Sequence, residues 1–211
     1  MKGQQQKCYH RMIKWCLLLR HSRRAYWHVR KIALIAMLTA LCVVGRTAFM
    51  FLLNVQPVTT ILIIITIYLG FIPGLTVAIL SMLISNFYMG MGIWTIAQII
   101  SFAFVVLIAF LLSKFSIFRR SLILQAIYAL IAGFLYGFII SLVQAPIMGI
   151  AAFWPYYLAG VSADAMHGFG NLQFYLILGP ILKKLFMRTK ICVENSSRTF
   201  GKNSFKDSQK V

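Results

Sequence analysis

Between Ile32 and Leu182 the sequence carries only five charged side chains: Arg46, Lys114, Arg119, Arg120 and Asp164. A stretch that long with so few charges cannot cover a water-facing surface, so the solvent it is built for is lipid. The remaining cations crowd the ends, nine from Lys2 to Lys31 and eight from Lys183 to Lys210. Composition agrees. The chain is 61% hydrophobic and 11% charged, with a mean hydropathy of +0.84, where soluble chains run near about 45–50% and about 25%. Disorder and a soluble enzyme domain are excluded. A net charge of +18 resembles that of a nucleic-acid binder, but its placement sets nucleic acid aside as a partner. Basic ends around an apolar middle mark the cytoplasmic face of a membrane protein.

A helix needs about 20 apolar residues to cross about 30 Å of hydrocarbon. Six stretches qualify, over residues 32–53, 57–72, 74–88, 93–113, 121–145 and 157–182. The expected fold class is therefore all-α, a bundle of six transmembrane helices in the cell membrane. Pro73-Gly74, Gly90-Met91-Gly92, Pro146 and Pro155 are expected to punctuate its turns. Lys114, Arg119 and Arg120 fall between the fourth and fifth stretches, on the side that holds both basic ends. The opposite loops, 54–56, 89–92 and 146–156, contain no Lys or Arg. Both termini are expected in the cytoplasm.

Three parts follow from this: a basic segment 1–31, a membrane domain 32–187 and a polar tail 188–211. In the first, nine cations mixed with Met12, Ile13, Trp15, Tyr26 and Trp27 predict a basic helix lying on the inner leaflet. The tail is polar and expected to be disordered. Cys8, Cys16, Cys42 and Cys192 show no metal-site spacing, and free thiols in a reducing cytosol are expected. Small residues four apart let helices approach closely in lipid. Ala129, Gly133 and Gly137 are read as internal packing, while Ala36 and Ala40 remain open between packing and docking.

The polar residues sit at one depth. At about 1.5 Å per residue, Arg46 falls ~9 Å below the outer surface, Asp164 ~10 Å, Gln98 ~8 Å and Asn86 ~12 Å. His167 and Asn171 follow Asp164 at i+3 and i+7 on the same face. A charge inside the hydrocarbon costs about 2.5–3.5 kcal/mol, so each should face the bundle interior. Arg46 and Asp164 are the unlike pair available. They either hold the packing as an ion pair or floor a polar cavity open to the outside. Trp94 lies one turn above Gln98, where a flat ring suits a planar ligand.

Chemistry is scarce. One Asp and one His in the bundle cannot close a metal site, and no nucleotide-binding Gly loop is present. Two other readings stay open: an intramembrane enzyme using Asp164 and His167, and a structural membrane protein.

Four segments carry a family resemblance. They are Ala36-Met37-Leu38-Thr39-Ala40 with Val44-Gly45-Arg46; Asn54-Val55-Gln56-Pro57-Val58-Thr59; Ser85-Asn86-Phe87 running to Gly90-x-Gly92-x-Trp94-Thr95-x-x-Gln98; and Asp164-x-x-His167 with Asn171 and Gly179-Pro180. With these the chain resembles the substrate-binding (S) components of energy-coupling-factor (ECF) vitamin transporters, over most of residues 31–188. The resemblance implies a subunit, not an enzyme, that captures a vitamin-like small molecule from outside. It implies docking to a transmembrane scaffold protein driven by two cytoplasmic ATPases, so that ATP is bound by the partners and this chain needs no cofactor. It assigns Ala36 and Ala40 to the scaffold contact. Arg46, Asn54, Gln56, Asn86, Trp94, Gln98, Asp164, His167 and Asn171 become the candidate substrate-binding set. The third segment looks most like S components assigned to cobalamin. Ile93, Ile96 and Ala97 depart from that pattern, which puts ligand identity in question more than fold.

Overall fold

The computed structural model describes residue 29, residues 31–52 and residues 54–208, with side chains to residue 188. The inner-leaflet helix expected within residues 1–31 lies almost wholly outside the described residues, as do the side chains of the tail from residue 189. In hydrocarbon each backbone N–H and C=O must be satisfied within its own segment, which a helix achieves. Every regular element among the described residues is a helix: α1 (Lys31–Ala48), α2 (Val58–Leu69), α3 (Phe71–Met89), α4 (Trp94–Ser113), α5 (Ser116–Arg120), α6 (Leu122–Ile147) and α7 (Phe153–Ser208). Among them α1, α3, α4 and α6 are long and apolar enough to cross a membrane, and α2 is a shorter apolar helix.

Several boundaries differ from expectation, and α1 ends at Ala48 rather than at residue 53. The second and third helices divide at Gly70, with φ +103°, and not at Pro73-Gly74. Proline is tolerated in a helix's first turn, where its missing N–H has no intrahelical partner to lose, so Pro73 lies inside α3. Glycine is the residue that takes the positive φ of the corner. For the same reason Pro155 falls inside the first turn of α7, which begins at Phe153 rather than at residue 157. Pro146 lies in the last turn of α6. That helix stops at Gly149, φ +69°, where Ile150 N–H bonds Ala145 O at 2.9 Å and Gly149 N–H bonds Pro146 O at 3.2 Å. This paired closure is the Schellman end of a helix.

At about 18 Å, α2 is too short to face lipid along a full crossing, and it does not. Its ten residues 58–67 are all buried, so the other helices enclose it. Thr60 Oγ1 attaches it to α7 by donating to Asn171 O at 3.0 Å, while Thr66 Oγ1 donates within its own helix to Leu62 O at 2.7 Å.

The tightest packing joins α6 to α7. A Cβ on Gly133 would collide with the backbone of Gly168, and one on Gly137 with the Asp164 carboxylate. Ala129 on the same stripe is fully buried. The small residues of this helix therefore pack internally. In α1, by contrast, Ala36 and Ala40 are exposed, beside the exposed Met37, Leu41 and Val44.

One end of the bundle is sealed by Gln125. Its Nε2 donates to Phe118 O at 2.7 Å and Arg119 O at 3.0 Å, while its Oε1 accepts from the Tyr175 hydroxyl at 2.9 Å. Residues 114–120, expected as a plain loop, thus contain α5, clamped to α6 and α7. Lys114, Arg119 and Arg120 are exposed there.

Candidate ligand-binding site

At the opposite end the rare polar side chains meet. Cys42 and Arg46 turn one face of α1 inward, both buried. Arg46 Nη1 donates to Ser85 Oγ at 2.8 Å and reaches Met82 Sδ at 3.0 Å, both on α3. The Ser85 hydroxyl in turn donates to Ser81 O at 2.7 Å. One residue on, the buried Asn86 donates through Nδ2 to Gln98 Oε1 at 2.8 Å and to Thr95 Oγ1 at 3.0 Å, which ties α3 to α4. The hydroxyls of Thr47 and Tyr88 pair beside this junction.

Helix α6 contributes Tyr136. Its ring lies 4.7 Å from Phe102 and stacks on His167 at 5.2 Å with 24° between planes. Its hydroxyl lies within electrostatic reach of Arg46, Gln98 and Asp164. His167 is buried, and both of its ring nitrogens are engaged. Nδ1 lies 2.9 Å from Asn54 O, and Nε2 lies 2.9 Å from Thr59 Oγ1. A carbonyl can only accept, so Nδ1 carries the proton, and in the neutral ring Nε2 accepts from the threonine hydroxyl. Asn54 takes φ +59°, a region that Asn tolerates better than most residues. Its Nδ2 donates to Ala163 O at 3.1 Å, so the α1–α2 loop is stapled to α7.

The structure thus brings together Arg46, Asn54, Asn86, Gln98, Asp164 and His167, from α1, α3, α4, α7 and the first loop. Asn171, one turn beyond His167, is fully buried. Its carbonyl accepts from Thr60, and its amide Nδ2 and Oδ1 find no partner among the described residues. Two candidates stand apart. Gln56 is half-buried and makes no side-chain hydrogen bond among the described residues. Trp94 lays its ring on Gly92, is 43% exposed and makes no hydrogen bond to Gln98 among the described residues.

The unlike pair is not joined. Arg46 turns to α3, and its Nε has no hydrogen-bond partner among the described residues. The Asp164 carboxylate rests on the bare Cα of Gly137. Sequence reasoning left out Thr59, Ser85, Thr95 and Tyr136 as site residues. The first three lie within the motif segments, which was the available signal. Tyr136 carried none beyond its spacing from Gly133. Neither nitrogen of His167 bonds Asp164, Ser85 is held by Ser81 and Arg46, and the one hydroxyl that meets the imidazole among these residues, Thr59, is fully buried. The arrangement is built of fixed donors and acceptors, which suits recognition.

A family model described as "ECF transporter, substrate-specific component" matches residues 30–191. No curated protein and no solved structure matches the chain. The match spans well over half of a chain whose apolar helices make it a membrane protein, and the chain belongs to the substrate-specific components of ECF transporters.

Proposed function

We propose that this subunit captures a vitamin or related micronutrient from outside the cell and releases it inward after docking to an energising module. In this reading α1, α3, α4, α6 and α7, with the short enclosed α2 extended by the segments on either side of it, make six crossings, with both termini in the cytoplasm. The loops without Lys or Arg face outward, as the distribution of loop cations favours. The observation that carries the reading is the cluster of Arg46, Asn86, Gln98, Tyr136 and His167, from five elements, at the end of the bundle away from Lys114, Arg119 and Arg120. Polar groups at membrane depth ordinarily mark a substrate path.

Ala36 and Ala40 would meet the transmembrane scaffold, and two cytoplasmic ATPases would bind the ATP that drives release. The exposed stripe on α1 leaves room for close helix contact. Ala40→Trp should then leave ligand binding intact and abolish uptake; normal uptake by this variant would overturn the docking assignment. Cobalamin is the first ligand to test, on the resemblance of the third motif segment. The chain, purified in mild detergent and incubated with cobalamin, should elute from gel filtration with the corrin spectrum near one per chain. A colourless, well-folded peak would exclude cobalamin and turn the search to smaller micronutrients.

A further inference from the structure

The cluster holds two opposite charges that do not satisfy each other. Arg46 is 8% exposed; one of its nitrogens bonds Ser85 and Met82, while Nε is buried without a hydrogen-bond partner among the described residues. Asp164 is 7% exposed, and among the described residues no side chain donates a hydrogen bond to its carboxylate. Its oxygens are not sealed in, for they are not among the enclosed unpaired polar atoms. The Asp164 carboxylate sits at Gly137, the residue after Tyr136, whose ring stacks on His167 one turn along α7 from Asp164, and both charges act on the Tyr136 hydroxyl. Gly137 lets the carboxylate settle against α6, where any Cβ would displace it.

An uncompensated charge at this depth is costly, and truncating its partner in a bound complex is costlier still. Neutral residues would serve a neutral ligand better. We infer that the ligand of this subunit is amphoteric, with an acidic group directed to Arg46 and a protonated nitrogen directed to Asp164, bridging past Tyr136. The inference rests on the reading of the chain as a substrate-binding subunit and favours a ligand other than cobalamin, which carries no free basic nitrogen to meet Asp164.

The test takes the full chain, purified from cells grown in rich medium, and identifies the small molecules released on denaturation by mass spectrometry in both ionisation polarities. Arg46→Gln and Asp164→Asn are treated alike, each checked for a monodisperse elution profile. The expected result is a compound recovered with the wild type that bears both an acid and a basic nitrogen. Its yield should fall about tenfold or more in each variant, the scale on which buried charge contacts act. A neutral or singly ionisable compound would overturn the proposal while leaving the substrate-binding reading intact. So would an amphoteric compound retained undiminished by both variants. Because the wild-type compound is identified directly, its chemistry decides the proposal even where a variant fails to fold. Recovery of no small molecule from well-folded wild type would instead strike the substrate-binding reading itself, and the inference with it.

Discussion

His167 shows how completely a polar side chain in this bundle is committed. Its two ring nitrogens fasten the α1–α2 loop and α2 to α7, and its face covers Tyr136. Replacing it by alanine removes two hydrogen bonds worth about 0.5–1.5 kcal/mol each and a ring contact of about 0.5–1.5 kcal/mol. His167→Ala should therefore lower thermal stability in detergent by ~2 kcal/mol and weaken ligand binding without abolishing it. An unchanged melting temperature would show that these contacts carry no weight. The candidates Arg46, Asn86, Gln98, Asp164 and His167 were legible in the sequence because a strongly polar residue in an apolar helix stands out. Thr59, Ser85 and Thr95 stood within the motif segments but were not singled out, because a hydroxyl can bond its own helix backbone and so occurs in apolar helices without any role. Tyr136 reads as one more aromatic. Trp94, one turn from Gln98, has its ring against the bare Gly92, a seat that its spacing alone does not reveal.

Among the helices, α6 and α7 form the pair on which the site is built. Gly133 lies against the Gly168 backbone, and Gly168 against Leu130 O. No side chain stands between them that could yield. Gly133→Val should push the helices apart, at a cost on the scale of overpacking, about 1–3 kcal/mol, and should also displace Asp164 and His167 relative to Tyr136. Thermal unfolding of the purified variant measures the first effect and ligand binding the second. A variant as stable as the wild type would mean that the close approach is not required. This interface was foreseeable from small residues at four-residue spacing. The partner helix was not, since spacing on one helix does not name its neighbour. The corner at Gly70 was missed because Pro73 is the stronger punctuation mark in a sequence. Yet a proline within three residues of a helix start leaves the helix intact. Similarly, the enclosure of α2 shows only when its shortness is combined with the packing of the others around it.

On the scale of the whole molecule, the two ends of the bundle differ in kind. One carries Lys114, Arg119 and Arg120 around the Gln125 clamp, and the other carries the polar cluster. The charge asymmetry was legible from residue order alone, because cations do not readily cross the membrane during insertion. In a chain freed of its native cysteines, Met91→Cys should react with a membrane-impermeant maleimide on intact cells. Ser116→Cys should react only after permeabilisation. The reverse pattern would invert the orientation. The chain is a substrate-specific component, and if the cluster holds its solute as proposed, ligand-induced stabilisation tests this most directly. A ligand at a hundredfold excess over its Kd stabilises the folded state by about 2.7 kcal/mol, several degrees in melting temperature. Across a panel of water-soluble vitamins and related micronutrients, one chemical class should raise the melting temperature of the wild type. The same compounds should leave Asn86→Ala, which loses the link between α3 and α4, unshifted. If none shifted the well-folded wild type, or if Asn86→Ala kept the full shift, the cluster would not be the binding site.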